Sequence, residues 1–206
     1  VVLSGGSTWG LDAASSVANY IGSQGRGFSA SPESKHVPMV PGAILYDLSN
    51  GGDKKWGDSS PYYDLGIKAA SSISDNIILG NAGAGYGAKA GSLKGGLGSA
   101  SFVCSDGIQV GGLFAVNSYG STLNNETGQF WASTDENKNE FGGRGVPNYA
   151  PMNILAGTKA GKPLPGQNTT IGVIATNAKL DAKAAKRIAI MAHSGMSRAI
   201  RPIHSP

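Results

Sequence analysis

PGQNTTIGVIATNAKL, residues 165–180, runs from a glycine- and proline-bearing loop into an apolar segment, with Asn168, Thr169 and Thr170 at the join. Residues 169–176 are rich in β-branched side chains and bounded by turn formers, which predicts a strand. Asp181 then stands where a helix N-cap belongs. Behind it Ala185, Ile188, Ala189, Ala192, Met196 and Ile200 recur at helical spacing, and Pro202 stops the run. Gly195 within that helix weakens it by about 1 kcal/mol relative to alanine. Two readings of Asn168 and Thr169 follow. In a plain turn, the Asn side chain bonds its own backbone. In an autoprocessing site, the Thr169 hydroxyl attacks the Asn168 carbonyl and the resulting ester is hydrolysed. Thr169 then becomes a new N-terminus with a nucleophile and an α-amine, whose ordinary pKa near 8 lets it take the hydroxyl proton.

Working outward, residues 1–3 form a short apolar strand, and SGGSTWG (residues 4–10) is the turn after it. Leu11, Ala14, Ala18 and Ile21 predict a helix from residue 11 to about 21, ended by Gly25 and Gly27. Residues 43–48 are a second strand between proline and glycine punctuation, and residues 62–72 a weaker helix. Residues 97–103 and 108–116 read as two strands of a hairpin joined by CSDG (residues 104–107). Residues 121–165 are polar and lack periodicity, a length of loop that points to function or processing. Strand pairs mixed with helices, without regular alternation, suggest helices packed outside stacked sheets.

The 206 residues suit one domain with a sizeable core. The 32 glycines are roughly twice average usage, which implies tight turns and close backbone approaches. Net charge is +4, and the basic residues Lys179, Lys183, Lys186, Arg187, Arg198 and Arg201 fall on the last helix, where they read as a solvated face rather than a nucleic-acid footprint. Without a run of about 18 apolar residues or a signal-peptide pattern, a soluble, cytoplasmic protein with no membrane or nucleic-acid partner is expected. The chain opens on VVLSGGS without a Met, and a piece of a longer polypeptide is expected.

Other chemistries fit poorly. GAGYGA (residues 83–88) matches a dinucleotide fingerprint, the basis of a rival reading as a non-catalytic nucleotide-binding module. A pyrophosphate cradle requires the motif to open a helix, and the following KAGSLKGGLG holds four more glycines. GTKAGKP has Pro163 where a phosphate-binding loop needs Ser or Thr. With His36, His193 and His204, one cysteine and no close His pair, no metal site is expected. Cys104, in SFVCSDG at what reads as the end of a buried strand, is expected to be an inert apolar thiol.

Residues 168–206, NTTIGVIATNAKLDAKAAKRIAIMAHSGMSRAIRPIHSP, resemble the processing-site segment of the L-aminopeptidase/D-esterase family of N-terminal-nucleophile hydrolases. VVLSGGSTWGLDAASSV resembles that family's first strand and helix, LKGGLGSAS its lysine-glycine-glycine segment, and GLFAVNSYG its asparagine-bearing strand. Peptidase members typically carry Gly-Ser at the junction; Asn168-Thr169 is instead similar to the 6-aminohexanoate-oligomer hydrolases, which cut nylon-6 oligomers. The resemblance implies an α+β fold, a four-layer α/β/β/α sandwich, with autocleavage between residues 168 and 169. Residues 1–168 would belong to an upstream subunit and 169–206 to the start of a downstream one. The heterodimers would assemble further, commonly as tetramers. It also implies Thr169 as nucleophile, Asn168 as the last upstream residue, Asn117 as oxyanion donor and Lys94 as a residue orienting the hydroxyl or tuning the new amine. Tyr46 and Tyr119 become pocket-lining candidates. The implied substrate is a small linear amide oligomer, with an amino-acid amide or peptide as the alternative, and no cofactor. Family members continue beyond IHSP with acidic residues that support the N-terminal Thr.

Overall fold

The computed structural model describes residues 1–148, 152–153, 155–159 and 167–204. Pro163, Pro165 and other parts of the expected 121–165 loop lie outside the described residues, as do Gly166, Ser205 and Pro206.

Strand β1 (Val2–Ser4) pairs in parallel with β2 (Gly42–Ile44), and helix α1 (Leu11–Ser23) lies between them in sequence. The expected strand over 43–48 is cut short. Its partner turns away at Gly5 and Gly6, so after Ile44 the chain bonds that turn instead: the main-chain Leu45 O accepts from Ser7 N, and the Asp47 carboxylate accepts from Gly6 N through Oδ1. Helix α2 (Tyr62–Ser71) packs on α1 where Gly66 meets Ala13 and Ser16, an approach so close that any side chain at 66 would strike them. Ser60 Oγ donates to Asp12 Oδ2 at 2.9 Å and ties the start of α2 to α1.

The second half is built on an antiparallel sheet in the order β5–β6–β7: β5 (Gly96–Val103), β6 (Gln109–Asn117) and β7 (Thr169–Thr176). A short antiparallel pair, β3 (Lys89–Ala90) and β4 (Leu93–Lys94), precedes it. The Asp-Gly hairpin forms as expected, with Cys104 N donating to Ile108 O. Its tip is not buried, however: Phe102 and Val103 are exposed and Cys104 is half-buried, because this end of the ladder runs past the core.

Successive strand residues face opposite ways, so the ladder sorts side chains by parity. Leu97, Ala115 and Ile171 point inward and join Leu3, Leu45, Ala84 and Ala88 in the core, with Leu45 wholly buried. Asn117 and Thr169, also odd-numbered and paired at the end of the β6–β7 ladder, share that inner face. The even-numbered residues face α3 (Ala182–Ala199). Phe114, Thr170, Ile174, Met196 and Ile200 line a groove of about 490 Å³ between sheet and helix. Phe114 also explains a glycine inside β7, since its ring occupies the space a side chain at Gly172 would need.

Helix α3 starts where its sequence says it should, with Asp181 Oδ1 accepting from Ala184 N at 2.7 Å. Ala184, Ile188, Ala192, Met196 and Ala199 form its half-buried stripe. Lys179 and Arg201 fall outside the helix, and Arg201 stacks over the Trp131 ring at 4.8 Å, so the basic patch is not one helical face. The fold is thus a mixed α+β arrangement of sheets and helices. No helix among the described residues is long and apolar enough to cross a membrane.

Candidate active site

Asn117 ends β6 and is fully buried, so both ends of its amide must find partners inside the protein. At Oδ1 it accepts from Lys89 N at 2.9 Å, Lys159 Nζ at 3.2 Å and Asn50 Nδ2 at 3.3 Å. Its Nδ2 donates to Tyr46 O at 2.6 Å and Gln167 O at 3.1 Å. The second contact places an amide hydrogen against the main-chain carbonyl one residue upstream of Asn168, just before the strand that Asn117 pairs with. Three donors crowd one oxygen while two carbonyls face the nitrogen. That set fixes which way the amide points.

Thr169 opens β7 opposite Asn117 and is half-buried. The turn reading requires Asn168 Oδ1 to accept a backbone N–H. Among the described residues that oxygen is instead buried without a hydrogen-bond partner, as is Thr170 Oγ1. An orphaned buried acceptor at the residue before the strand marks a locally unfavourable arrangement rather than a comfortable cap.

Lys94 lies on β4 across from Lys89, exposed. Among the described residues its side chain makes no hydrogen bond with Asn117 or Thr169. The lysine that does reach Asn117 is Lys159. Its Nζ donates to Asn117 O and to Asn117 Oδ1, both at 3.2 Å, and its own N–H donates to Tyr119 O at 3.0 Å. Burial first, and the neighbouring Lys89 second, push its pKa down to about 8. Tyr46 meets the site through its carbonyl and Tyr119 holds Lys159 through its own; both rings are half-buried. Sequence reading missed Lys159, Lys89 and Asn50. The first lies in GTKAGKP, whose spacing speaks only for or against a phosphate loop, and the nearest available signal is a lysine in the loop leading to Thr169.

The other motifs settle differently. Gly83–Gly85 is a single 3-10 turn that passes through a further turn at Tyr86 and Gly87 into β3, and Gly85 is pressed against the backbone of Gly96 and Leu97. No α-helix opens there to aim N–H groups at a pyrophosphate. No two histidines are close in the sequence, yet the turn after α3 brings His204 to stack on His193, Nδ1 of His193 to Nε2 of His204 at 3.3 Å. Both are exposed, and no group of three metal-ligating side chains occurs among the described residues.

Residues 1–206 match a family model described as peptidase family S58. The chain belongs to peptidase family S58. The S58 chain is 40% identical over 210 residues to a Mycobacterium bovis protein described as an uncharacterized aminopeptidase, and 37% identical over 213 residues to one from Mycobacterium leprae. These alignments take in 100% of the S58 chain but 58% and 56% of the relatives, so it spans little more than half their length. Among solved structures it resembles the PH0078 protein of Pyrococcus horikoshii OT3, with a TM-score of 0.59 and 23% identity over 93% of this chain and 46% of that one. That likeness concerns the fold alone.

Proposed function

We propose that this S58 chain carries the cleavage site and nucleophile of an autoprocessed amide hydrolase. The supporting observation is the pairing of Asn117 with Thr169 at the end of the β6–β7 ladder, with the Asn117 amide donating to a main-chain carbonyl beside the bond to be cut. In the first step Thr169 Oγ bonds to the Asn168 carbonyl carbon, and the C–N bond to Thr169 breaks as its nitrogen takes up the proton. Water then hydrolyses the ester, leaving a carboxylate on Asn168 and a free hydroxyl and amine on Thr169. The mature enzyme repeats the chemistry on a substrate amide. The Thr169 amine takes the hydroxyl proton, an acyl-enzyme forms, the amine product leaves and water releases the acid. In self-cleavage Asn117 Nδ2 turns the N–H held by Gln167 O to the oxyanion that forms on the next residue, Asn168, and in turnover it donates to the substrate's oxyanion, worth about 3 to 4 kcal/mol in a water-poor site. Departure of Gln167 after cleavage frees that N–H for substrate.

Lys94, exposed on β4, would act from the substrate side, where Tyr46 and Tyr119 would line the pocket. In the whole protein the sheets and helices would complete a four-layer sandwich, and the processed subunits would assemble as a tetramer of heterodimers. The Asn-Thr junction favours a linear amide oligomer such as a 6-aminohexanoate oligomer as substrate. A second reading, an aminopeptidase acting on amino-acid amides or peptides, is favoured by the description of the mycobacterial relatives. Intact-mass analysis of the full-length protein should give two chains, the smaller beginning at Thr169. A single uncut chain that still hydrolyses amides overturns the mechanism. Turnover of aminohexanoate oligomers compared with amino-acid amides decides between the substrates.

A further inference from the structure

Resting on that reading, we propose that Lys159 is a positioning residue of the site. By donating to Oδ1 and the main-chain O of Asn117, its ammonium locks the orientation of the amide and strengthens the Nδ2–H donor that meets the oxyanion. Lysine carries three donors and no acceptor, so it can meet only the oxygen end of the Asn117 amide. A positive charge on that oxygen draws electron density from the nitrogen and makes its N–H a stronger donor, as charge-assisted hydrogen bonds are stronger than neutral ones.

A lysine that merely tied down a loop would gain nothing from being placed so expensively. Among the described residues both of its side-chain contacts are to Asn117, and neither partner is a carboxylate. Burial and Lys89 together disfavour its charge, bringing the pKa to about 8. The other titratable groups on the surrounding segments do not relieve this. Asp47 is committed to Gly6 N, Tyr46 and Tyr119 approach through carbonyls, and Lys94 stands across β3–β4 from Lys89. After cleavage the Thr169 amine joins the same face. Donor strength at the oxyanion therefore follows the proton on Lys159, full below about pH 8 and reduced above it.

The test follows autocleavage of the full-length chain, pulse-labelled during cell-free synthesis and chased across a pH range spanning the value of about 8. Three forms are compared: wild type, Lys159→Arg, which stays charged throughout, and Lys159→Met, which keeps the length without charge. Relative to Lys159→Arg, wild-type cleavage is expected to fall about tenfold on going from acid to alkaline of that value, the factor that corresponds to roughly 1.4 kcal/mol of lost donor strength. Lys159→Met should be about tenfold slower at low pH without that relative fall. Wild-type and Arg profiles that stay parallel overturn the role of Lys159 while leaving the Thr169 mechanism standing. A wild-type chain that never cleaves overturns both. If Lys159→Met fails to fold by circular dichroism, the wild-type to Arg comparison carries the test alone.

Discussion

Replacing Asn117 tests both the packing and the chemistry of this site, and the two effects can be separated. In Asn117→Ala the fully buried amide disappears and its rigid partners, Lys89 N and Tyr46 O, are left inside the protein without it. Lys159 and Asn50 can swing away; two main-chain groups cannot. At about 1–3 kcal/mol for each buried unpaired group, the loss is about 4 kcal/mol. For a domain of this size that lowers the melting temperature by roughly 8–16 °C. Asn117→Asp keeps the volume and the acceptor at Oδ1 but places a second oxygen against the carbonyls of Tyr46 and Gln167, so it loses the donor while sparing Lys89 N. Both variants are expected to slow cleavage between Asn168 and Thr169 by about 10²–10³-fold. The assay is intact-mass quantification of the cut fraction in protein that circular dichroism shows to be folded. Wild-type cleavage in a folded Asn117→Asp chain would refute the oxyanion role. An unchanged melting temperature in Asn117→Ala would refute the hydrogen-bond inventory.

Other expectations are as direct. Thr169→Ala should abolish cleavage and turnover, with Thr169→Ser retaining part of both; activity in the Ala form would point to another nucleophile. Gly95→Ala should cost several kcal/mol, because the added methyl would run into Val116 O beside Asn117, and urea unfolding reads the loss. Asp181→Ala removes the cap on Ala184 N and should cost about 1 kcal/mol in the same measurement. Because Lys159 has a folded pKa of about 8, below its unfolded value of 10.5, the unfolded chain holds more protons between the two. Stability should therefore rise with pH across that window relative to Lys159→Met, and a constant difference between the two proteins would contradict the burial of the ammonium.

The pieces legible in the sequence were those fixed by neighbours along the chain. β7 spans the residues its β-branched run indicated, Asp181 caps α3, and Asp-Gly closes the hairpin. Thr169 and Asn117 were reached through a resemblance, and the register between them is what places them on one face. Long-range partners were out of reach. Asn117 draws its hydrogen bonds from Tyr46, Asn50, Lys89 and Lys159, on segments without a shared periodicity, and no local rule tells a loop lysine that folds back onto a strand from one that points to water. β2 ended early for a similar reason, since its length depends on where β1 turns, and the exposed hairpin tip shows that alternation alone does not say where a core stops.

The last rung of the β6–β7 ladder also acts as a measure of distance along the chain. Thr169 and Thr170 carry the same hydroxyl, yet the pleat turns Thr170 to the α3 groove and leaves Thr169 on the side of Asn117. A slip of one residue would exchange their faces, and a slip of two would deliver Ile171, which has no hydroxyl. On the proposed mechanism the bond to be cut would thus be set by counting residues back along β7 from the turn at Asn177, whose side chain is anchored to Gln109 N and Gly107 O. On the proposed mechanism, one residue inserted between Thr169 and Thr176 would misdirect the reaction with every reacting group still present.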